Sequence, residues 1–75
     1  MVKVAYKVGK CLLPYHLRKR RMSQQELADQ INKTKQTVSR YVNNQSVMSY
    51  ETALNISKVM KCDMEDLYEI KKVKE

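Results

Sequence analysis

Lys35, Gln36, Ser39, Arg40 and Asn43 recur at spacings that place them on one side of an α-helix, and no carboxylate interrupts them. Their chemistry suits base edges. Arginine bonds bidentately to guanine O6 and N7, glutamine and asparagine to adenine N6 and N7, and hydroxyls to either, so such an array can read a DNA major groove. A merely solvated helix face is the bland alternative. The residues around the array weigh against it, because they form the support that a reading helix needs.

That support begins at Ser23, which with Glu26 three residues on forms a capping box and predicts a helix from Gln24. Leu27, Ala28 and Ile31 give the helix a narrow apolar stripe, and the small Ala28 allows a crossing helix to approach. Asn32 is suited to the left-handed conformation that ends helices. Thr34 can cap a second helix, whose Val38, Tyr41 and Val42 must then face the first helix and a core. The unit spans residues 23–44.

The run Gln24, Leu27, Ala28, Ile31, Asn32, Val38, Ser39, Tyr41, Asn43 and Asn44 resembles the helix-turn-helix of the lambda-repressor-like Cro/Xre family. The likeness continues through Tyr50-Glu51-Thr52-Ala53, Ile56-Ser57-Lys58 and Asp63-Met64-Glu65-Asp66-Leu67, which are similar to that family's fourth and fifth helices, and it covers residues 13–67. Where the family usually has glycine, this chain has Arg21, Asn32 and Asn44; asparagine tolerates positive φ, whereas arginine has no such ease. His16 stands where an apolar residue is usual. The resemblance implies an all-α, five-helix helix-turn-helix domain that binds an operator in double-stranded DNA as a transcriptional regulator, a repressor of the kind phages and bacteria use. It implies base contacts from Lys35, Gln36, Thr37 and Arg40, and phosphate contacts from Arg20, Gln24, Lys33, Ser39 and Asn43. The outward face points the same way.

Charge is unevenly placed. Of the net +7, residues 1–42 carry +8 and residues 43–75 carry −1, so the basic part holds the candidate reading helix. Such a field attracts polyanions and makes association with nucleic acid salt-sensitive. Seventy-five residues suit one domain, and a core this small buries only about 60% of the unfolded surface, so a homodimer, at least on DNA, is a natural supplement. No stretch reaches a transmembrane length and no apolar run resembles a signal peptide, so a cytoplasmic protein with no membrane partner is expected. Cys11 and Cys62 with a lone His16 supply too few zinc ligands, and buried free thiols are the simpler reading. One glycine excludes a phosphate-cradling loop, and no catalytic set can be assembled. We therefore expect no enzyme and no cofactor.

Outside the motif, Val2, Val4, Tyr6 and Val8 alternate with polar or small residues as a strand does, and residues 68–73 offer a β-prone partner; the terminal segments 1–9 and 68–75 could pair as a small ribbon, within the chain or between subunits. Gly9 and Lys10 read as a hinge into a first helix over residues 12–20, with Pro14 in its first turn and Leu13, His16 and Leu17 facing inward. Arg18, Lys19, Arg20 and Arg21 form a basic cluster at its end. Ser49 caps a fourth helix with the stripe Ala53, Ile56, Ser57 and Met60, and Asp63 a short fifth one through Leu67. A rival of another class is an antitoxin or anti-regulator that acts through a protein partner, using Val47, Leu54 and the terminal strands. A basic RNA or membrane-surface binder ranks below both, since the aromatics are five tyrosines and Tyr41 lies on a buried stripe.

Overall fold

The computed structural model describes residues 4–74; of the terminal strands expected at residues 1–9 and 68–75, residues 1–3 and 75 lie outside them. In chain order it contains β1 (Val4–Cys11), α1 (Leu13–Lys19), α2 (Gln24–Gln30), α3 (Lys35–Val42), α4 (Tyr50–Met60), a single 3-10 turn (Met64–Leu67) and β2 (Tyr68–Lys74). Among the described residues four α-helices form, not five. The expected fifth helix is the 3-10 turn: Asp66 N–H donates to the Asp63 carbonyl at 2.9 Å, and the β-prone Tyr68 enters the ribbon before an i→i−4 ladder can develop.

Each α-helix closes in the same way. The Met22, Lys33, Gln45 and Cys62 N–H groups donate to the carbonyls of Leu17, Ala28, Arg40 and Ser57 at 2.8–3.0 Å, the six-to-one bond that satisfies a helix C-terminus. This bond needs a left-handed residue just before the donor, and Arg21, Asn32, Asn44 and Lys61 supply it with φ of 53°, 58°, 60° and 54°. Both asparagines behave as their side chains allow. Arg21 and Lys61 adopt the same geometry at a steric cost of about 1–2 kcal/mol each, so the loop after α1 keeps its glycine-like path without a glycine.

The strands pair antiparallel within the chain, from Val4 opposite Lys74 through Lys7 opposite Lys71 to Cys11 opposite Tyr68. Between Val8 and Cys11 the register slips, three steps on β1 facing two on β2. The hinge expected at Gly9 and Lys10 is therefore a bulge inside a continuous strand. It turns Cys11 inward, where the side chain is only 2% exposed. A two-stranded ribbon is marginal alone. Here its root is tied into the helices, because Cys11 N–H donates to Asn44 Oδ1 at 2.9 Å and Met48 N–H to the Tyr68 hydroxyl oxygen at 3.1 Å.

Cys11, Leu13, Leu17, Leu27, Ala28, Val38, Tyr41, Met48, Ile56, Met60 and Leu67 make one buried cluster, with Met22, Ile31, Val42, Ala53 and Val59 packed at its rim. The stripes read on α1 to α4 thus converge. His16 is half-buried, and its Nε2 lies 2.7 Å from the Asp66 carbonyl oxygen. A carbonyl can only accept, so Nε2 carries the proton and the ring clasps the 3-10 turn to α1. Cys11 and Cys62 are both free; the first is buried and the second half-buried.

Burial pushes the Cys11, Cys62 and Tyr68 groups above their ordinary values of 9.0, 9.0 and 10.0; for Cys62 the neighbouring Asp66 and Asp63 carboxylates add to it, and for Tyr68 the Met48 N–H offsets part of it. Groups whose folded value is raised stabilise the fold fully below their unfolded value and lose that contribution as pH rises through the folded one. The urea midpoint should therefore hold steady from neutral pH to about 9 and fall at higher pH. A midpoint that rose in that alkaline range would contradict the burial of these three groups.

Candidate nucleic-acid interface

α2 and α3 position the interface, and local chemistry fixes both. Ser23 Oγ accepts the Glu26 N–H at 3.0 Å while Glu26 Oε1 accepts the Ser23 N–H at 3.4 Å, so the capping box closes in both directions. Gln25 Nε2 donates to Asp29 Oδ1 at 2.9 Å along the exposed side. Leu27 and Ala28, both fully buried, set α2 against the core and against α3. The turn then leads into Thr34, whose Oγ1 accepts the Thr37 N–H at 3.2 Å and caps α3.

On α3 the two faces are sharply divided. Val38 and Tyr41 are buried, whereas Lys35, Gln36 and Arg40 are exposed, as is Asn43 at the helix end. Gln36, Arg40 and Asn43 stand at i, i+4 and i+7, a line about 10 Å long at 1.5 Å per residue, comparable with the ~12 Å width of a B-DNA major groove. Ser39 is half-buried beside them, and its Oγ accepts from Asn43 Nδ2 at 3.2 Å, which ties two polar groups one turn apart. Thr37 is also half-buried. Its hydroxyl lies 2.9 Å from Thr34 Oγ1, so part of its hydrogen-bonding capacity is spent on the cap.

Lys33 is exposed in the turn, next to the α3 cap, and its backbone N–H donates to Ala28 O at 2.9 Å. Gln24 opens α2 and is half-buried. Arg20 stands apart from the α3 face. It ends α1 and lines a groove with His16, Lys19, Asp63 and Asp66, so the groove that holds this cation also holds two carboxylates. Asn44 does more than its backbone conformation suggested: its side chain receives the Cys11 N–H and joins the end of α3 to β1. The positive φ was legible at Asn44, but a partner 33 residues away was not.

Among the described residues no group of three or more His, Cys, Asp or Glu side chains is placed to hold a metal ion, and no helix is long and apolar enough to cross a membrane. Residues 16–67 match the model of the helix-turn-helix family. Over 72 residues, covering 95% of this chain and 95% of the relative, the sequence is 39% identical to the SPbeta prophage-derived uncharacterized HTH-type transcriptional regulator YopS of Bacillus subtilis (strain 168). Among solved structures, the transcriptional regulator VanUg in its crystal form II superposes with a TM-score of 0.68 over 88% of this chain and 87% of that one, at 24% identity, a likeness of fold.

Proposed function

The chain belongs to the helix-turn-helix family, and from that premise we infer that it is a transcriptional regulator that binds double-stranded DNA by laying α3 in the major groove. The observation that carries this reading is the division of α3: Val38 and Tyr41 are held in the core while Lys35, Gln36, Arg40 and Asn43 face outward with no acid among them. In the mechanism, Lys33 and Gln24 at the turn and the start of α2 contact phosphates and set the register of the protein on the duplex. Ser39 and Asn43, already joined to each other, contact the backbone at the far end of α3. Lys35, Gln36 and Arg40 reach base edges, and Thr37 offers its methyl group and remaining lone pair to a base at the start of the helix. Arg20 contributes phosphate attraction from the end of α1.

The effect on transcription is repression: a protein seated on its operator excludes other proteins from the same DNA. It acts in the cytoplasm as one domain, as a homodimer when on DNA, and without a cofactor or a catalytic step. The prophage-derived relative agrees with a phage or bacterial role.

Selection from a pool of random duplexes by the purified protein tests the reading. One enriched motif is expected, arranged as an inverted repeat with half-site centres about one helical turn, ~10 base pairs, apart. A pool that stayed random through selection would contradict sequence-specific binding. A single half-site without symmetry would contradict the dimer alone.

A further inference from the structure

The ribbon carries a charge arrangement that its own fold does not need. Lys7 and Lys71 stand directly opposite each other, and opposed residues of antiparallel strands share a face with their Cβ atoms about 4.5–5.5 Å apart. Like charges there repel and weaken the pairing. Gly9 lies on the same face: a Cβ built on it would come within 3.0 Å of Lys71 Cε and 3.1 Å of Glu69 Cβ, so the missing side chain leaves room for the lysine stem. At the ribbon's root this face opens into a groove lined by Lys10, Pro14, Tyr15, Arg18 and Glu69. Lys7, Lys71, Lys10 and Arg18 thus line one side of the molecule against a single acid, Glu69. The other face of the ribbon mixes charge with apolar surface: Lys72 and Lys74 stand opposite Tyr6 and Val4 there, and Tyr6, Val8 and Ile70 are all more than half exposed, with no cation directly opposed to another among the described residues.

Position adds to charge. The root is fastened to Asn44, just past the end of α3, and the molecule measures 47 × 22 × 20 Å. A strand of eight residues extends about 25 Å at ~3.3 Å per residue, the length over which one strand of B-DNA presents about seven phosphates. An anion between Lys7 and Lys71 would convert a repulsion into two favourable contacts.

We propose that the basic face of the β1–β2 ribbon is a second DNA contact, which binds phosphates of the duplex flanking the site read by α3. The proposal rests on the DNA-binding reading above and extends the footprint beyond the helix-turn-helix.

The test uses the full chain, the Lys7→Gln/Lys71→Gln double variant, and two duplexes that carry the selected motif. One duplex ends at the motif and the other runs about one helical turn, ~10 base pairs, further on each side. Wild type should bind the longer duplex more tightly and with a steeper salt dependence, each phosphate contact adding about 0.9 to the slope of log K against log salt. The double variant should lose both the length advantage and up to two such increments, and keep its preference for the motif over a scrambled sequence. Equal affinity and slope for wild type and variant on the longer duplex would overturn the proposal. Lys58→Gln, which removes an exposed cation from α4, should leave the length advantage intact; an equal loss there would reduce the effect to net charge and also overturn it. Should the double variant unfold, Lys10→Gln asks the same question without touching the cross-strand pair. Absence of motif preference in wild type would instead contradict the α3 reading, while the same length comparison on scrambled duplexes still decides for or against the ribbon.

Discussion

Leu27→Ala should destabilise the fold by about 2–5 kcal/mol, the range for removing a fully buried leucine and leaving a cavity. Leu27 is 0% exposed and belongs to the same buried cluster as Val38 of α3, so its loss loosens the seat of the candidate reading helix. The consequence is large because a chain this short has roughly 4–11 kcal/mol of stability in total. Each kcal/mol corresponds to about 4–8 °C in Tm for a fold of this size. Thermal unfolding followed by circular dichroism would therefore show a midpoint lower by about 8 °C or more, and DNA affinity would fall with the folded fraction. Leu54→Ala is the contrast. Leu54 is 37% exposed on α4, and its truncation should cost no more than about 0.5 kcal/mol. Equal effects of the two substitutions would contradict the burial of Leu27 in the core.

The parts of this fold that local chemistry dictates were legible from the residues. Ser23 with Glu26, Thr34 and Ser49 cap the helices they were read to cap, and Leu27, Val38, Ile56 and Met60 face the core as their spacing required. Asn32 and Asn44 take positive φ because their side chains tolerate it. What was not legible depends on distant partners. The slip between Val8 and Cys11 exists because Cys11 is drawn into the core opposite Tyr68, and nothing near Gly9 announces it. Lys61 adopts the left-handed conformation because the end of α4 must close on Ser57, a demand of the turn and not of the lysine. The shortening of the fifth helix to a 3-10 turn likewise reflects competition from a strand whose partner lies at the other end of the chain.

For the interface, helical spacing alone placed Lys35, Gln36, Arg40 and Asn43 on the outward side, and they are exposed there. Spacing could not reveal that Thr37 and Ser39 are half-buried and already hydrogen-bonded, nor that Arg20 shares a groove with Asp63 and Asp66. These details rank the positions. Arg40 has the strongest claim to read a base, since it is exposed one turn after Gln36 and its planar guanidinium can form two parallel hydrogen bonds to guanine.

The most direct measurement of the central claim is a set of binding curves for wild type, Arg40→Ala and Lys33→Ala on the selected duplex and a scrambled one, at several salt concentrations and with helical content matched beforehand. Arg40→Ala should weaken the selected duplex by about 1–3 kcal/mol, some 5- to 150-fold, relax the preference at one base position and leave scrambled binding little changed. Lys33→Ala should weaken both duplexes alike and lower the salt slope by about one unit, as loss of a phosphate contact does. If Arg40→Ala weakened the selected and scrambled duplexes by the same factor, α3 would not be reading bases through this residue, and the account of the interface would be contradicted.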